Sequence, residues 1–146
     1  MRINRRTDYA IRVMLALAEH PYGERLSTKS IREEMLVPRA FLERIIAELS
    51  RAKLIVTFPG PNGGIQLSEK PETINLLQIW EAIEGALMIS DCLQSPEECP
   101  LHEDCPVHGC WGKLQKVIQR ELEAITISQL SIEMKRKKTG HSDHEQ

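Results

Sequence analysis

The sequence predicts a mainly α-helical fold carrying one small β-hairpin, and three observations predict it. Aromatic residues are only 4% of a chain that is 41% hydrophobic, so its apolar content is dominated by good helix formers such as Leu and Ala, with Ile beside them. Apolar residues recur at helical spacing on both sides of residues 54–67, but inside that stretch the period shortens to that of a strand. A run of turn residues, Pro59-Gly60-Pro61-Asn62-Gly63-Gly64, divides the strand-like stretch in two. At 146 residues the chain is one ordinary domain or two small ones.

A first helix is expected from about Arg5 to Glu19, with Ala10, Ile11, Met14, Leu15 and Ala18 on its buried face. His20-Pro21 ends it, because the residue before a proline avoids the helical region. Ser27 or Thr28 caps a short second helix to about Met35, with Ile31 and Met35 inward. After a break at Leu36-Val37, a third helix begins at Pro38, a residue suited to a first helical position, and reaches about Arg51. Phe41, Leu42, Ile45, Ile46 and Leu49 form its apolar face, and Arg39, Ala40, Glu43, Arg44 and Ala47 lie opposite. Leu54–Phe58 and Ile65–Leu67 are the strand runs, and Asn62-Gly63 favours a tight turn with positive φ.

Three helices followed by a hairpin over residues 1–70 describe a winged helix-turn-helix. Its third helix would enter the major groove of double-stranded DNA, with Arg39, Ala40, Glu43 and Arg44 toward the base edges. Arg suits guanine, Glu can accept from the cytosine amino group, and Ala can touch a thymine methyl. The hairpin tip, with Asn62 and Gly63, is assigned to the DNA as well. Charge supports the division. Residues 1–70 carry 12 Lys and Arg against 8 Asp and Glu, and residues 71–134 carry 3 against 11. A basic first half on an acidic second half suits a polyanion-binding module joined to one that stays clear of the polyanion.

In the second region, Thr73 is expected to cap a helix to about Met88, with Leu76, Leu77, Trp80, Ile83 and Leu87 inward. Residues 91–111 hold all four cysteines, Cys92, Cys99, Cys105 and Cys110, with His102 and His108 between them. Pro96, Pro100, Pro106 and Gly109 argue for a loop there. A long helix should then run from near Gly112 to about Ala124. Its stripe of Trp111, Leu114, Val117, Ile118, Leu122 and Ile125 is too broad for a lone surface helix, so a second copy of the chain is the expected cover. One more short helix is expected over Thr126–Met134, with Ile127 and Leu130 inward. Residues 135–146, including His141 and His144, read as a polar, disordered tail.

Four thiols in so short a loop leave disulfides, zinc and an iron–sulfur cluster open. No apolar run is long enough to cross a bilayer. The basic and apolar N-terminus is interrupted by Arg12 and lacks a small-residue cleavage site, so it does not read as a signal peptide. The expected location is the cytoplasm, whose reducing conditions disfavour disulfides and leave metal binding or thiol redox chemistry. No Gly-rich phosphate loop or nucleophile–base pairing points to an enzyme.

Five stretches in order carry a family resemblance: Thr7-Asp8-Tyr9-Ala10, Phe41-Leu42-Glu43, Gly60-Pro61-Asn62-Gly63-Gly64, Ala82-Ile83-Glu84-Gly85, and the cysteine loop running into Trp111. Over residues 1–134 the chain resembles the bacterial winged-helix iron–sulfur transcriptional repressor family that includes IscR and NsrR. The resemblance implies a homodimeric repressor, built on the long C-terminal helix, whose operator affinity is set by a [2Fe-2S] or [4Fe-4S] cluster sensing nitric oxide, iron or redox state. It implies Cys92, Cys99 and Cys105 as ligands. The fourth would be His108, as in IscR-like members, or Asp8 of the partner subunit, as in NsrR-like ones; Cys110 adds a third candidate. The chain departs from the family in Pro59, where an Arg is common, and in six residues, not five, between Cys92 and Cys99. A zinc site or a thiol-based redox switch on the same DNA-binding fold is the alternative, and a small iron–sulfur electron carrier is a further one.

Overall fold

The computed structural model describes residues 2–142. Its helices are α1 (Arg5–Glu19), α2 (Thr28–Met35), α3 (Arg39–Arg51), α4 (Leu76–Glu84), α5 (Asp91–Gln94), α6 (Pro106–Ala124) and α7 (Ile127–Ser142). Strands β1 (Ile55–Phe58) and β2 (Gly64–Leu67) pair antiparallel, from Ile55 opposite Leu67 to Phe58 opposite Gly64. The fold is therefore the expected one, mainly helical with a hairpin wing.

Helix α1 is the centre of the molecule. Its N-cap Asn4 accepts from the Thr7 amide, and its buried residues are Thr7, Ala10, Val13, Met14, Ala16 and Leu17. Ile11, Leu15 and Ala18, expected at the core, are only partly buried. The deepest face is turned because α2, α3, α4 and α7 all pack on α1, and a helix enclosed by several neighbours does not bury one stripe. Ser27 caps α2, its hydroxyl accepting from the Ser30 amide, and Ile31 and Met35 are buried as expected. Leu36 ends α2 in the left-handed region at φ 53°, where the backbone cost for a residue with a Cβ is about 1 kcal/mol or more. Pro38 caps α3 and is not its first helical residue, and Leu42, Ile45 and Leu49 are its buried positions.

The wing turn differs from expectation. The register leaves residues 59–63 outside the ladder, so Asn62-Gly63 is not a two-residue hairpin turn. Positive φ occurs at Gly60 and Gly64 and not at Asn62 or Gly63. The Gly63 amide donates to the Gly60 carbonyl at 3.0 Å, closing the turn one step earlier. With Pro59 and Pro61 flanking Gly60, a tighter ladder would have to seat a proline that has no amide to donate.

Helix α4 is capped by Asn75, not Thr73. Asn75 and Gln78 form a reciprocal capping box, and Gly85 at φ 82° ends the helix well before Met88. The main core crosses residue 70: Ile74, Ile79, Ile83 and Ile127 join the residues of α1, α2, α3 and the wing in one cluster. A second, smaller cluster joins Leu77, Trp80 and Leu87 to Ile118 and Leu122 of α6. The cysteine segment is also more ordered than a loop. Cys92 lies on α5, residues 96–98 make a single 3₁₀ turn, and α6 starts at Pro106 instead of Gly112. Pro106 tolerates this because a first helical residue needs no intrahelical amide bond.

Helix α7 extends through Ser142, so the expected disordered tail is helical from Lys135 to Ser142; residues 143–146, with His144, lie outside the described residues. One reason is visible: the Lys138 ammonium donates to both carboxylate oxygens of Glu19 on α1, at 2.9 and 3.2 Å. Polar residues with no buried stripe of their own are helical there because α1 supplies partners.

Candidate functional site

Helix α3 turns Arg39, Ala40, Glu43 and Arg44 to solvent. Its orientation is set from the opposite side by Leu42, Ile45 and Leu49 in the core and by Tyr9 of α1 edge-on to Phe41, ring centroids 5.1 Å apart. Arg44 donates through Nε to Glu48 at 3.3 Å, yet its side chain is 68% exposed, so most of its guanidinium faces solvent. The same Glu48 oxygen lies 3.7 Å from Arg6 Nη2, which donates to the Ile83 carbonyl at 2.8 Å. A neighbouring pair, the Thr7 hydroxyl donating to Glu84 at 2.5 Å, fastens the same end of α4 to α1.

Basic residues on α2 that the sequence reading missed belong to this face. Lys29 and Arg32 line, with Thr28, Arg39 and Glu43, a cavity of about 240 Å³ between α2 and α3. Their spacing of three on one helix was the available signal. Of the two wing residues, Asn62 is exposed. Gly63 is partly buried, and a Cβ there would lie 2.0 Å from the Phe58 carbonyl oxygen, so glycine is required by the turn itself.

All four cysteines are free thiols. Cys92, Cys99 and Cys105 are partly buried and Cys110 is exposed. Cys92 Sγ is 3.2 Å from the Ser90 hydroxyl. Cys99 follows the 3₁₀ turn, and its carbonyl lies 3.0 Å from His102 Nδ1. Cys105 is the N-cap residue of α6, and the Cys110 thiol donates to the Pro106 carbonyl at 3.5 Å within that helix. Cys92 and Cys99 line one cavity of about 280 Å³ with Asp91, Ser95 and Glu98; Cys105, His108 and Asp8 do not reach it. Asp8 is exposed in the first turn of α1. Among the described residues no three His, Cys, Asp or Glu side chains are grouped closely enough to hold a metal ion. The donor chemistry nevertheless fits a metal or cluster. Three of the four thiols are partly buried, and His108 Nδ1 is buried with no hydrogen-bond partner among the described residues, which leaves that nitrogen free to donate to a metal.

Beside this segment α6 has no buried residue. Trp111, Leu114 and Val117 are 39%, 48% and 53% exposed, and with Ile89 and Ile118 the first two border a cavity of about 380 Å³. No helix among the described residues is long and apolar enough to cross a membrane.

A three-helix unit with an exposed third helix, a hairpin wing and a separate cysteine-bearing arm is the build of a winged-helix transcriptional regulator. The chain belongs to the Rrf2 family: the family model described as an iron-dependent transcriptional regulator matches residues 3–133. Proteins of this family are transcriptional regulators, not enzymes. The chain is similar to the HTH-type transcriptional regulator NsrR of Shouchella clausii, 29% identical over 131 residues that cover 89% of this chain and 88% of that one. Among solved structures, IscR of T. potens is 27% identical with a TM-score of 0.69, over 89% of this chain and 86% of that chain. The global cysteine regulator CymR of B. subtilis, at 23% identity, shares the fold with a TM-score of 0.71 over 90% of this chain and 96% of that one.

Proposed function

We propose that this protein is a cytoplasmic, homodimeric repressor that binds a double-stranded DNA operator, and that an iron–sulfur cluster, [2Fe-2S] or [4Fe-4S], sets its operator affinity. Cys92, Cys99 and Cys105 would hold the cluster. The observation that carries the reading is the cysteine arm: three partly buried free thiols between the end of α4 and the start of α6, two of them already sharing a cavity. The partnerless Nδ1 of His108 favours that residue as fourth ligand over Asp8 of the partner subunit, whose equivalent here is exposed, and over Cys110, which is exposed on α6.

When bound, the cluster supplies redox and ligand-exchange chemistry, and a non-thiolate ligand leaves one iron more labile. The chain's own residues turn ligation into geometry. Cys105 caps α6, so holding Cys105 holds the start of the helix that carries the apolar stripe Trp111, Leu114 and Val117. A partner copy packed on that stripe fixes the separation of the two α3 helices, which must match half-sites about 34–36 Å apart. Arg6 joins the end of α4 to Glu48 on α3, so the recognition helix is tied to the element that leads into the arm.

The test is an absorption spectrum with iron, sulfide and zinc analysis of anaerobically purified protein, followed by duplex binding with and without the cluster. Matching iron and sulfide, visible charge-transfer bands and different duplex affinities are expected. Colourless protein with stoichiometric zinc would make the arm a structural staple, and equal affinities would overturn the sensing role.

A further inference from the structure

The wing is uncharged. From Leu54 to Ser68 there is no Lys, Arg, Asp or Glu. Affinity for duplex DNA comes largely from neutralising phosphates with Lys and Arg, and this hairpin has neither. Lys53 directly precedes it, and the cation that stacks on it comes from another part of the chain. The guanidinium carbon of Arg25 lies 3.5 Å from the centroid of the Phe58 ring, at the end of β1 where the wing begins. At that separation the planar group stacks on the ring. Stacking occupies its face and leaves the N–H donors at its edge free. Arg25 is exposed, and among the described residues neither a carboxylate nor a carbonyl accepts from it.

The main chain holds this arrangement in place. Leu26 and Ile65 exchange backbone hydrogen bonds of 2.9 and 2.8 Å, a single antiparallel bridge that ties the segment before α2 to the edge of β2. The approach is close enough to require glycine: a Cβ on Gly64 would sit 2.8 Å from the Leu26 carbonyl oxygen and 3.3 Å from Arg25 Cβ, at a φ of +153°. A cavity of about 330 Å³ lies between the wing and the start of α2, and shares Thr28 and Ile46 with the cavity between α2 and α3. The recognition helix, the start of α2 and the wing thus border one continuous face, and Phe58, the ring on which Arg25 stacks, lines its wing end.

We propose that Arg25, stacked on Phe58, is the wing's cation and binds a phosphodiester oxygen of the DNA backbone beside the groove entered by α3. The proposal rests on the DNA-binding reading above and assigns a contact to a residue outside α3 and outside the hairpin. Phe58 is a positioning residue: it fixes the guanidinium plane so that little rotamer freedom is lost on binding. A backbone contact adds affinity and salt dependence without reading sequence.

The test uses full-length, anaerobically purified protein and a duplex selected by the wild-type chain from a random pool, with a scrambled duplex as control. Arg25→Ala should weaken binding about tenfold, as expected for removal of one charge-assisted hydrogen bond. It should also reduce the slope of log affinity against log salt by about 0.9 for each phosphate that Arg25 neutralises. The ratio of selected to scrambled affinity should not change. Arg25→Lys should keep the salt slope, and Phe58→Leu should lose affinity by less than Arg25→Ala with the slope retained. Unchanged affinity and slope for Arg25→Ala, beside clear losses for Arg39→Ala and Arg44→Ala, would overturn the Arg25 assignment alone. A wild-type chain that selects no duplex would overturn the DNA-binding reading and this one with it. Should Arg25→Ala lower the thermal midpoint, Arg25→Gln carries the same test, and an unchanged slope for it overturns the assignment equally.

Discussion

Arg6 donates to the Ile83 carbonyl at 2.8 Å, joining the first turn of α1 to the last turn of α4 across 77 residues of sequence. The same guanidinium lies 3.7 Å from Glu48, which also accepts from Arg44. One side chain therefore touches the helix that leads to the cysteine arm and the carboxylate that steadies a recognition-helix arginine. Arg6 Nε and the second Glu48 oxygen are buried without partners among the described residues, so the junction is not fully satisfied and gives up part of the stability a complete network would have.

Replacing Arg6 by Ala should destabilise the protein by about 1–3 kcal/mol, because it removes a charge-assisted bond and leaves the Ile83 carbonyl unpaired. Urea denaturation reads this as a lower midpoint at an unchanged slope. A midpoint equal to wild type would show that the junction contributes nothing to folding.

The fourth-ligand question separates cleanly by substitution. On the favoured reading, His108→Ala changes the visible spectrum and shortens the lifetime of the cluster in air, whereas Asp8→Ala and Cys110→Ala leave both as they were. Any one of Cys92→Ala, Cys99→Ala and Cys105→Ala should abolish the visible bands. Bands that survive His108→Ala unaltered but collapse in Asp8→Ala would move the ligand to the partner subunit.

Two glycines should respond in opposite directions. Gly63→Ala would drive a Cβ to 2.0 Å from the Phe58 carbonyl oxygen and must break the wing turn. Gly109 sits inside α6 with nothing within 4 Å of an added Cβ, so Gly109→Ala should stabilise the cluster-free protein by about 0.5–1 kcal/mol through helix propensity. Thermal melts of the two variants check both signs, and a destabilised Gly109→Ala would mean that a partner helix occupies that space.

Charge on the exposed stripe of α6 should separate the subunits. Leu114 is 48% exposed in the single chain and would be covered by a partner copy. Leu114→Glu is expected to give a monomer by sedimentation and to weaken duplex binding by more than tenfold, since one half-site alone loses the joint affinity of two. A dimer of unchanged affinity would place the subunit contact on another surface.

Much of the architecture could be read from the residues because local rules and tertiary packing agree there. Ile31 and Met35 on α2, Leu42, Ile45 and Leu49 on α3, and the two strand runs were each legible from period alone. Reading failed where two signals competed. Thr73 and Asn75 are both capping residues, and Gln78 three places after Asn75 decided between them through the reciprocal bond. Asn62-Gly63 is a strong turn signal, but two prolines around Gly60 moved the turn. Four helix-breaking residues argue for a loop in the cysteine arm, but Pro106 at a first helical position opens α6 instead.

By itself the sequence determined the winged-helix class, the four-thiol segment and the residues on the outer face of α3, since periodicity and composition are local properties. Only the tertiary structure decided which groups meet. It put Cys92 and Cys99 on one cavity, left His108 Nδ1 without a partner, and carried Lys29 and Arg32 to the face of α3. It also laid Arg25 over Phe58, a pair 33 positions apart that no pattern of spacing could join. Such pairs depend on how helices and strands pack at a distance in sequence, and that is settled by the shared core around α1, not by any one segment.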